Sequence, residues 1–588
     1  MNKQQILIEF RDFSFEYPTS ENLPALQNIN LQIKAGNLTV LCGMSGSGKT
    51  TLLRHLKPEL SPAGKKTGDL IFADSLREKN ILYNRQKIAY VMQNPSNQII
   101  MDSVWHELAF GLENQGLKVQ EIERRIAEIA IFFGIETWID KKVAELSGGE
   151  KQILNLASNM ILQPDLLVLD EPTAQLDPIA RRDFLQMLFY IHSETGISIV
   201  ISEHNLNDLL ENADHVFFLD EGKLDFSGSA IGLADYLFSN DHSYKTVLPL
   251  ATQISYLSGI NQITEKSLTR PLSIKQGRDL LKRALLYQST KTLADDQQID
   301  INDKIGIPGG EIKGFSDEID VPDDAIKSSN LKSEQIEKIL TVDRVWYRYN
   351  PDDDLVLKET SLNIYKNEIF VIMGGNGSGK STLLYLMSRA LKPFKGQIKS
   401  AEQRRIAMLG QNPEAVFAQD TVLQVLTEYK QRFANTEQEI SDIIDLFDLR
   451  DLLQRHPYDL SGGEKQKLAL AKVLLIKPDI LLLDEPFKSL DVINKQKIKR
   501  ILLELKQKMS IVIVTHDVDF ISEIADRCAM IFNQRIIAQS ATTDFFQKNS
   551  YFTTTTYRLT RDIIPGCIVF HDLQQKLRNL TNGELSDA

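Results

Sequence analysis

The sequence predicts an α/β protein made of two similar domains, each built around a mainly parallel sheet. The chain has 588 residues, more than a single hydrophobic core usually serves. The seven letters LSGGEKQ at 146–152 return at 460–466, and other short phrases fall into step around both copies. Each half also contains buried-looking apolar runs followed by a glycine loop or an acidic pair. The repeat therefore covers a whole domain.

Composition restricts the class of protein. Apolar residues make up 42% and charged residues 25% of the chain, as in ordinary globular proteins. No run of about 18 apolar residues occurs and the start MNKQQ is polar, so we expect a cytoplasmic chain without a signal peptide or membrane span. Three scattered cysteines, Cys42, Cys528 and Cys567, are too few for a disulfide framework or a metal cluster. We expect buried or incidental thiols.

The net charge of −12 is concentrated in one segment. Residues 294–324 contain ten acidic residues and two lysines, a local balance of −8. Because glycine and proline are interspersed and little is apolar, we expect a flexible linker between the two halves.

Each half has a glycine-rich loop of the form GxxxxGK[S/T]. GMSGSGKT follows the apolar run LTVLC, and GGNGSGKS follows IFVIM; helix-like stretches come next. In this context backbone N–H groups and the helix N-terminus surround phosphate oxygens, while Lys49 or Lys380 reaches the β and γ phosphates. Thr50 and Ser381 are the expected Mg²⁺ ligands. The predicted nucleotide-binding residues of the loops are Gly43, Ser45, Gly46, Gly48, Lys49, Thr50 and Thr51, and Gly374, Asn376, Gly377, Gly379, Lys380, Ser381 and Thr382.

A pair of carboxylates ends another buried-looking apolar run in each half. The pairs are Asp170–Glu171 and Asp484–Glu485, each followed by proline. Open α/β sheets bind ligands at the carboxyl ends of their strands, and the turn at proline can bring both acids near the phosphate. We predict that Asp170 and Asp484 stabilise Mg²⁺ through its water shell. Glu171 and Glu485 are predicted to polarise the attacking water.

One strand further along, His204 and His516 follow β-branched runs. A single histidine there would more often be structural, but its recurrence favours a γ-phosphate contact that also orients the glutamate. Gln93 and Gln411 follow short apolar runs, and an amide there could hold Mg²⁺ or the attacking water. Taken alone, each glutamine is equally compatible with a catalytic role and with none.

Aromatic residues precede both glycine loops at a similar distance. Tyr17 lies in FSFEYP and Tyr349 in WYRYNP. Stacking on an adenine and packing of an edge strand are both open.

Together these motifs, in this order and twice, resemble the ATP-binding-cassette (ABC) ATPases over roughly residues 5–245 and 338–560. LSGGE is the signature of that family and is more specific than the glycine loop. The resemblance implies two P-loop nucleotide-binding domains in tandem, each with a mainly parallel core sheet, an antiparallel β subdomain and a helical signature subdomain. It also implies that two cassettes pack head to tail.

In that arrangement each signature closes over the nucleotide held by the other half. The resemblance assigns Ser461 and Gly463 to the ATP bound by Lys49, and Ser147 and Gly149 to the ATP bound by Lys380. A signature at a helix N-terminus offers N–H donors and a hydroxyl to the γ-phosphate, and losing them slows hydrolysis by roughly 10² to 10³-fold. Because both motif sets are complete, we expect two hydrolytic sites.

Finer phrases resemble the fused double-cassette ATPases of energy-coupling-factor (ECF) transporters. They are EPTAQLDP, EPFKSLD, QNPSNQI, DSVWHELAFGLEN and, at 271–281, PLSIKQGRDLL. The resemblance implies uptake of vitamins, vitamin precursors or metal ions, with a membrane-embedded coupling protein and a substrate-capture membrane protein as partners. It places the chain at the cytoplasmic face of the cell membrane. The expected division is 1–245 first ABC domain, 246–337 helical extension and acidic linker, 338–560 second ABC domain and 561–588 C-terminal tail.

Two acidic residues occupy matching places after the glutamines. We hypothesise that Asp102 and Asp420 lie in or beside a groove that receives basic residues of the coupling protein. The alternative is that they only cap helices.

A tandem cassette protein acting on ribosomes or nucleic acid would show the same two sites. Such a protein is expected to carry a basic helical linker for phosphate backbones, whereas this linker is acidic. The sequence therefore favours the transporter and gives no reason to expect a nucleic-acid partner.

Overall fold

The computed structural model describes residues 5–18, 24–76, 87–257, 260, 270–295, 337–375, 377–400, 404–487, 490–549 and 552–581. Most of the predicted acidic linker and Asn376 lie outside these residues. Both halves have the predicted α/β architecture: a mainly parallel six-stranded core sheet, a three-stranded antiparallel sheet and a helical subdomain. None of the helices that are described is both long and apolar enough to cross a membrane.

The described residues of the first half form nine strands. Its core sheet has the order β5-β6-β7-β3-β8-β9, with only the β8–β9 pair antiparallel, and its second sheet has the order β2-β1-β4. The strands are β1 Ile6–Glu16, β2 Leu26–Lys34, β3 Leu38–Gly43, β4 Lys65–Phe72, β5 Ile88–Val91, β6 Leu166–Asp170, β7 Ser198–Ser202, β8 His215–Asp220 and β9 Lys223–Gly228.

The second half repeats this topology. Its core sheet has the order β14-β15-β16-β12-β17-β18 and its antiparallel sheet the order β11-β10-β13. The strands are β10 Lys338–Tyr347, β11 Leu357–Tyr365, β12 Ile369–Met373, β13 Lys395–Ser400, β14 Ile406–Leu409, β15 Ile480–Asp484, β16 Ser510–Val514, β17 Arg527–Phe532 and β18 Arg535–Ala541.

Helices cover the sheets and form the signature subdomains. In the first half and its extension they are α1 Lys49–His55, α2 Val104–Asn114, α3 Val119–Phe133, α4 Gly148–Met160, α5 Pro178–Thr195, α6 Ala230–Ser239, α7 Leu250–Ser255 and α8 Ile274–Asp295. In the second half they are α9 Lys380–Met387, α10 Val422–Thr427, α11 Glu437–Leu446, α12 Gly462–Leu474, α13 Val492–Leu505, α14 Val518–Ser522, α15 Thr542–Lys548, α16 Thr555–Thr560 and α17 Phe570–Thr581.

The central strands are mostly apolar because each of their faces is covered. In β6, Leu167 and Leu169 join the core beneath the helices, while Leu166 and Val168 join the core shared with the antiparallel sheet. Strands buried on both faces read as continuous apolar runs, which explains why these segments were recognisable in the sequence.

Helices of the extension after the first half and of the C-terminal segment form a fifth apolar cluster. Residues of α7 and α8, such as Ile254 and Leu281, pack against Leu559, Leu573 and Leu577 of α16 and α17. Residues 561–581 are thus packed on the extension that follows the first half. The three cysteines are buried free thiols, as expected.

Candidate functional site

Each glycine loop folds tightly around the lysine that begins the following helix. Lys49 Nζ donates to the carbonyl oxygens of Gly43 and Met44 at 2.9 and 2.8 Å. Lys380 Nζ makes the matching bonds to Gly374 and Gly375 at 2.9 and 2.8 Å. Both loops are therefore held in the same closed curve by their lysine.

Backbone geometry explains the glycine at the start of each loop. Gly43 has φ +150°, and a Cβ there would lie 2.1 Å from the carbonyl oxygen of Leu219. Gly374 has φ +155° and the same conflict with Ile531, at 2.4 Å. The remaining predicted loop residues follow from here into the first helical turn: exposed Ser45 and Gly46, then Gly48 and Thr51, and in the second loop Gly377, Gly379 and Thr382.

The first carboxylate of each pair lies at the carboxyl end of its strand, beside the glycine loop. Thr50 Oγ1 lies 3.1 Å from Asp170 Oδ1, and the hydroxyls of Tyr90 and Ser202 donate to the same carboxylate at about 3.0 Å. Burial and the neighbouring Glu171 raise the pKa of Asp170. In the second half Asp484 occupies the equivalent end of β15, next to β16, and is 3% exposed.

The second carboxylate pairs with the predicted histidine in both halves. His204 Nε2 lies 2.7 Å from Glu171 Oε1, and His516 Nδ1 lies 2.9 Å from Glu485 Oε1. Burial alone would raise the pKa of Glu171, but the hydrogen bond and charge of His204 bring it below its ordinary value. Both glutamates have left-handed backbones, with φ 47° and 49°. Such strain costs about 1–3 kcal/mol and is concentrated at functional sites.

The two glutamines differ. Gln93 Nε2 donates to Glu171 Oε2 at 3.2 Å, so the first glutamine joins the glutamate and histidine. Gln411 follows β14 at the matching place and is exposed. The structure thus brings the glutamine, glutamate and histidine together in the first half, and the glutamate and histidine in the second.

Both tyrosines stand next to the first helix of their half. The Tyr17 hydroxyl is 3.1 Å from Thr51 Oγ1, and the Tyr349 hydroxyl is 3.0 Å from Thr382 Oγ1. Tyr349 is 55% exposed, so its ring is not packed into the core. Tyr17 is partly buried and packs against the core of the antiparallel sheet, so both alternatives stay open.

Each signature begins a helix and exposes its serine. Ser147 is the N-cap of α4 and forms a capping box with Glu150, and Ser461 does the same for α12 with Glu464. The following glycines, Gly149 and Gly463, are in the first turn. The capping box uses the N–H groups of the serine and the glutamate, so the N–H groups of the two intervening glycines and the positive end of the helix are the elements suited to an anion.

A carboxylate of each half affects the lysine in the glycine loop of the other half. Burial lowers the pKa of Lys49, and the carboxylates that oppose this effect include Asp491 of the second half. Burial also lowers the pKa of Lys380, and there Asp177 of the first half is among the opposing charges. Asp177 and Asp491 follow the acid pairs and cap α5 and α13. Each of these two caps is therefore close enough to the glycine loop of the opposite half to affect its lysine.

Comparisons with known proteins agree with this geometry. The family model described as "ABC transporter" matches residues 26–174 and 357–488. An ABC transporter ATP-binding protein of Bacillus anthracis is 36% identical, over 97% of this chain and 98% of its own length. The chain belongs to the ABC transporter family. It is an ABC ATPase of the transporter type, and ATP binding and hydrolysis follow from that membership.

Solved structures share the fold. One chain of the complex of archaeal ribosomal stalk protein aP1 and ribosome recycling factor aABCE1 is 20% identical, with a TM-score of 0.54 and 91% of both chains covered. The protein cbiO1 of Clostridium perfringens, part of the ABC transporter complex cbiONQ, is 28% identical with a TM-score of 0.37; it covers 45% of this ABC ATPase and 100% of its own chain. The first likeness concerns the fold alone.

The residues present fit ATP and Mg²⁺. Ser47 Oγ and Ser378 Oγ are buried in the glycine loops without a hydrogen-bond partner, as expected of groups that await phosphate oxygens. Thr50 and Asp170 offer the hydroxyl and carboxylate oxygens that Mg²⁺ prefers.

Sequence reasoning did not find all residues of the ABC site. Tyr90 and Ser202, which bind Asp170, have Met408 and Val514 at the matching strand positions of the second half, so the repeat gave no signal for them. Tyr244, whose hydroxyl accepts from the N–H of Gly43 at 3.1 Å, lies well outside any motif.

Proposed function

We propose that this ABC ATPase is the energy-coupling subunit of an ECF-type importer. Its two composite ATP sites would form head to tail between the halves. The observation that supports the composite sites is the reciprocal approach of Asp491 to Lys49 and of Asp177 to Lys380. The sequence phrases that resemble ECF ATPases, and a relative named as an ABC transporter ATP-binding protein, support the transport role.

At each site the proposed roles follow the geometry. The glycine loop and lysine would bind the phosphates of ATP, and the signature of the other half would close on the γ-phosphate. Bound Mg²⁺ would neutralise phosphate charge, held by Thr50 with Asp170 and by Ser381 with Asp484. Glu171 and Glu485 would act as general bases on water, each oriented by its histidine.

We propose that the membrane partner binds beside the glutamine segments. Asp102 and Asp420 are exposed, and the adjacent helices are capped by Ser103 and Thr421, so the two acids are not needed as caps. Ile100, 68% exposed, adds an apolar contact at the same place in the first half. A basic helix of a membrane-embedded coupling protein has the matching chemistry. The binding partners would hold the ATPase at the cytoplasmic face of the membrane.

Purification of the tagged chain from solubilised membranes tests this function. We expect one or two integral membrane proteins to co-purify, and Asp102→Lys with Asp420→Lys to abolish this while the isolated chain keeps its ATPase activity. Asp183→Lys with Asp544→Lys changes exposed acids elsewhere and provides the matched control. Co-sedimentation with ribosomes, without any membrane protein, would contradict the proposal. Retained assembly in the Asp102/Asp420 variant would remove the proposed groove.

A further inference from the structure

A buried carboxylate lies beneath the first catalytic centre. Glu203 directly precedes His204 at the exit of β7 and is 2% exposed. Its Oε1 accepts two hydrogen bonds from Thr173, one from the backbone N–H at 3.0 Å and one from the hydroxyl at 2.7 Å. Because a buried carboxylate is costly without partners, this contact is a built feature of the fold.

Thr173 belongs to the turn that carries Glu171. The N–H of Glu171 is bonded to the carbonyl oxygen of Ser202 at 3.1 Å, and Glu203 fixes the turn again two residues later. Between these anchors Glu171 keeps a left-handed backbone with φ 47°. The exit of β7 therefore supports both ends of a strained three-residue turn.

A cation binds the residues that directly follow His204. The guanidinium of Arg181, in α5, donates to the carbonyl oxygens of Asn205 and Asn207 at 3.0 and 2.8 Å. Burial raises the pKa of Glu203, and the charge of Arg181 and the bonds from Thr173 act against this rise. The segment that contains His204 is thus bound by Thr173 and Arg181, which lie before and after Asp177 in the chain.

The second half does not contain this arrangement. Thr515 and Phe487 stand where the first half has Glu203 and Thr173. Phe487 packs on Phe520 with ring centroids 4.2 Å apart, and Thr515 Oγ1 accepts from the N–H of Asp517 at 3.2 Å. Both turns have the backbone bond from the glutamate, at 2.8 Å to Val514 in the second half, but ring packing stands there in place of the buried carboxylate.

We propose that Glu203 is a positioning residue for ATP hydrolysis at the first site. Through Thr173 it fixes the turn that carries Glu171, so that Glu171 stays in contact with His204 and in line with the attacking water. The inference rests on the proposed role of Glu171 as general base. Glu203 would act on hydrolysis only through Thr173.

Thr173→Val tests the inference because it removes the hydroxyl donor and keeps the size of the side chain. We expect kcat at the first site to fall roughly 10-fold, since a small displacement of a catalytic group is costly. The measurement uses the full chain with Glu485→Gln, which silences the second site. KM for ATP and the affinity for trinitrophenyl-ATP should stay unchanged, and Thr173→Ser should restore kcat. In the chain with both glutamates intact, Thr173→Val should remove up to about half of the turnover.

Thr515→Val in the Glu171→Gln chain is the matched control and should leave second-site turnover unchanged. Glu203→Gln is a milder second variant, because its amide oxygen still accepts from Thr173. Unchanged kcat for Thr173→Val in both chains would overturn the inference. A loss shared by kcat, trinitrophenyl-ATP affinity and melting temperature, without rescue by serine, would overturn it in favour of a purely structural role. If Glu171→Gln itself left turnover unaffected, the proposed function would fail instead.

Discussion

The two cassettes carry the same proposed catalytic residues, but different residues support them. In the first, Asp170 is held by Tyr90 and Ser202, and the turn after Glu171 is held by Glu203. In the second, apolar residues stand at the strand positions that match Tyr90 and Ser202. Phe487 packs in the turn instead of binding a buried carboxylate. Equal motifs therefore do not imply equal surroundings, and the supporting residues are where the two sites can differ in rate.

The link between the glutamine segment and the signature helix differs in the same way. In the first cassette neutral amides make it: Gln98 accepts from the N–H of Met92 and from Asn155, at 2.9 and 3.1 Å. In the second, Lys465 binds Glu414 and Lys472 binds Glu428, both at 2.7 Å. One connection is a network of neutral hydrogen bonds, and the other depends on charge.

The largest expected effect concerns the general bases. Glu171→Gln and Glu485→Gln should each slow hydrolysis at their own site by about 10² to 10⁴-fold, because the attacking water loses its base. Phosphate release by each single variant and by the double variant measures this. Equal effects of the single variants would confirm two hydrolytic sites. If Glu171→Gln alone left turnover untouched, the symmetry of the cassettes would be broken.

Signature variants test which half completes which site. Ser461→Ala should add little to Glu171→Gln, because both changes fall on one composite site. Ser147→Ala in the same background should slow the remaining turnover by roughly 10²-fold, since one donor set to the γ-phosphate is lost. The reverse pairing, with Glu485→Gln, gives the matched comparison. If Ser461→Ala instead abolished the residual activity, the head-to-tail assignment would be incorrect.

The buried lysine of the second cassette should matter for stability. Lys472 is 3% exposed and also donates to the carbonyl oxygen of Val416 at 2.5 Å, so Lys472→Met leaves two acceptors without a cation. We expect a loss of about 3 kcal/mol in the free energy of unfolding, measured by urea titration. Lys497→Met, at an exposed pair with Asp448, should cost less than about 1 kcal/mol. Equal costs would show that burial does not distinguish these pairs.

The smallest effect is a pair of opposite pH slopes. Burial raises the pKa of Asp517, but Lys495, the N–H of Phe520 and His516 reverse this and leave it lowered. Asp517→Asn should therefore destabilise the protein at neutral pH, and this loss of stability should shrink as pH falls into the range where Asp517 is protonated.

The pKa of Glu203 is raised by burial; the charge of Arg181 opposes this rise and the charge of Glu171 reinforces it. Its stabilisation is present at low pH and is lost as pH rises through the raised pKa.

Glu203→Gln should consequently gain stability relative to the parent chain as pH increases. Melting temperatures of the parent and both variants across an acidic to neutral series measure the two slopes. Parallel slopes would show that the two carboxylates sit in equivalent environments, and the contrast between the cassettes would then be weaker than the contacts indicate.

Much of the ABC fold could be predicted because its signals are local. The runs that became β3, β6 and β7 were mostly apolar, since both faces of these strands are covered. The glycine loops were recognisable because backbone conformations such as that of Gly43 exclude side chains. The histidines were found through their recurrence, and the structure places each beside its glutamate.

Other features could not be predicted because they depend on neighbours distant in the chain. Tyr90, Ser202 and Glu203 have no counterpart of the same chemistry in the second half, so the repeat concealed them. The packing of α17 on α8 joins segments about 290 residues apart, and no short spacing in either segment indicates the other as its partner.

The sequence by itself determined two cassettes, their α/β class, their glycine loops and their carboxylate and histidine sets. These follow from residue type and short spacing, which fix local backbone geometry and a small number of chemical roles. Only the tertiary structure decided that Asp491 and Asp177 affect the pKa of the lysine in the opposite half, and that buried Glu203 accepts from Thr173. Such contacts depend on how separate elements pack, and burial then sets their strength by removing water from around the charges.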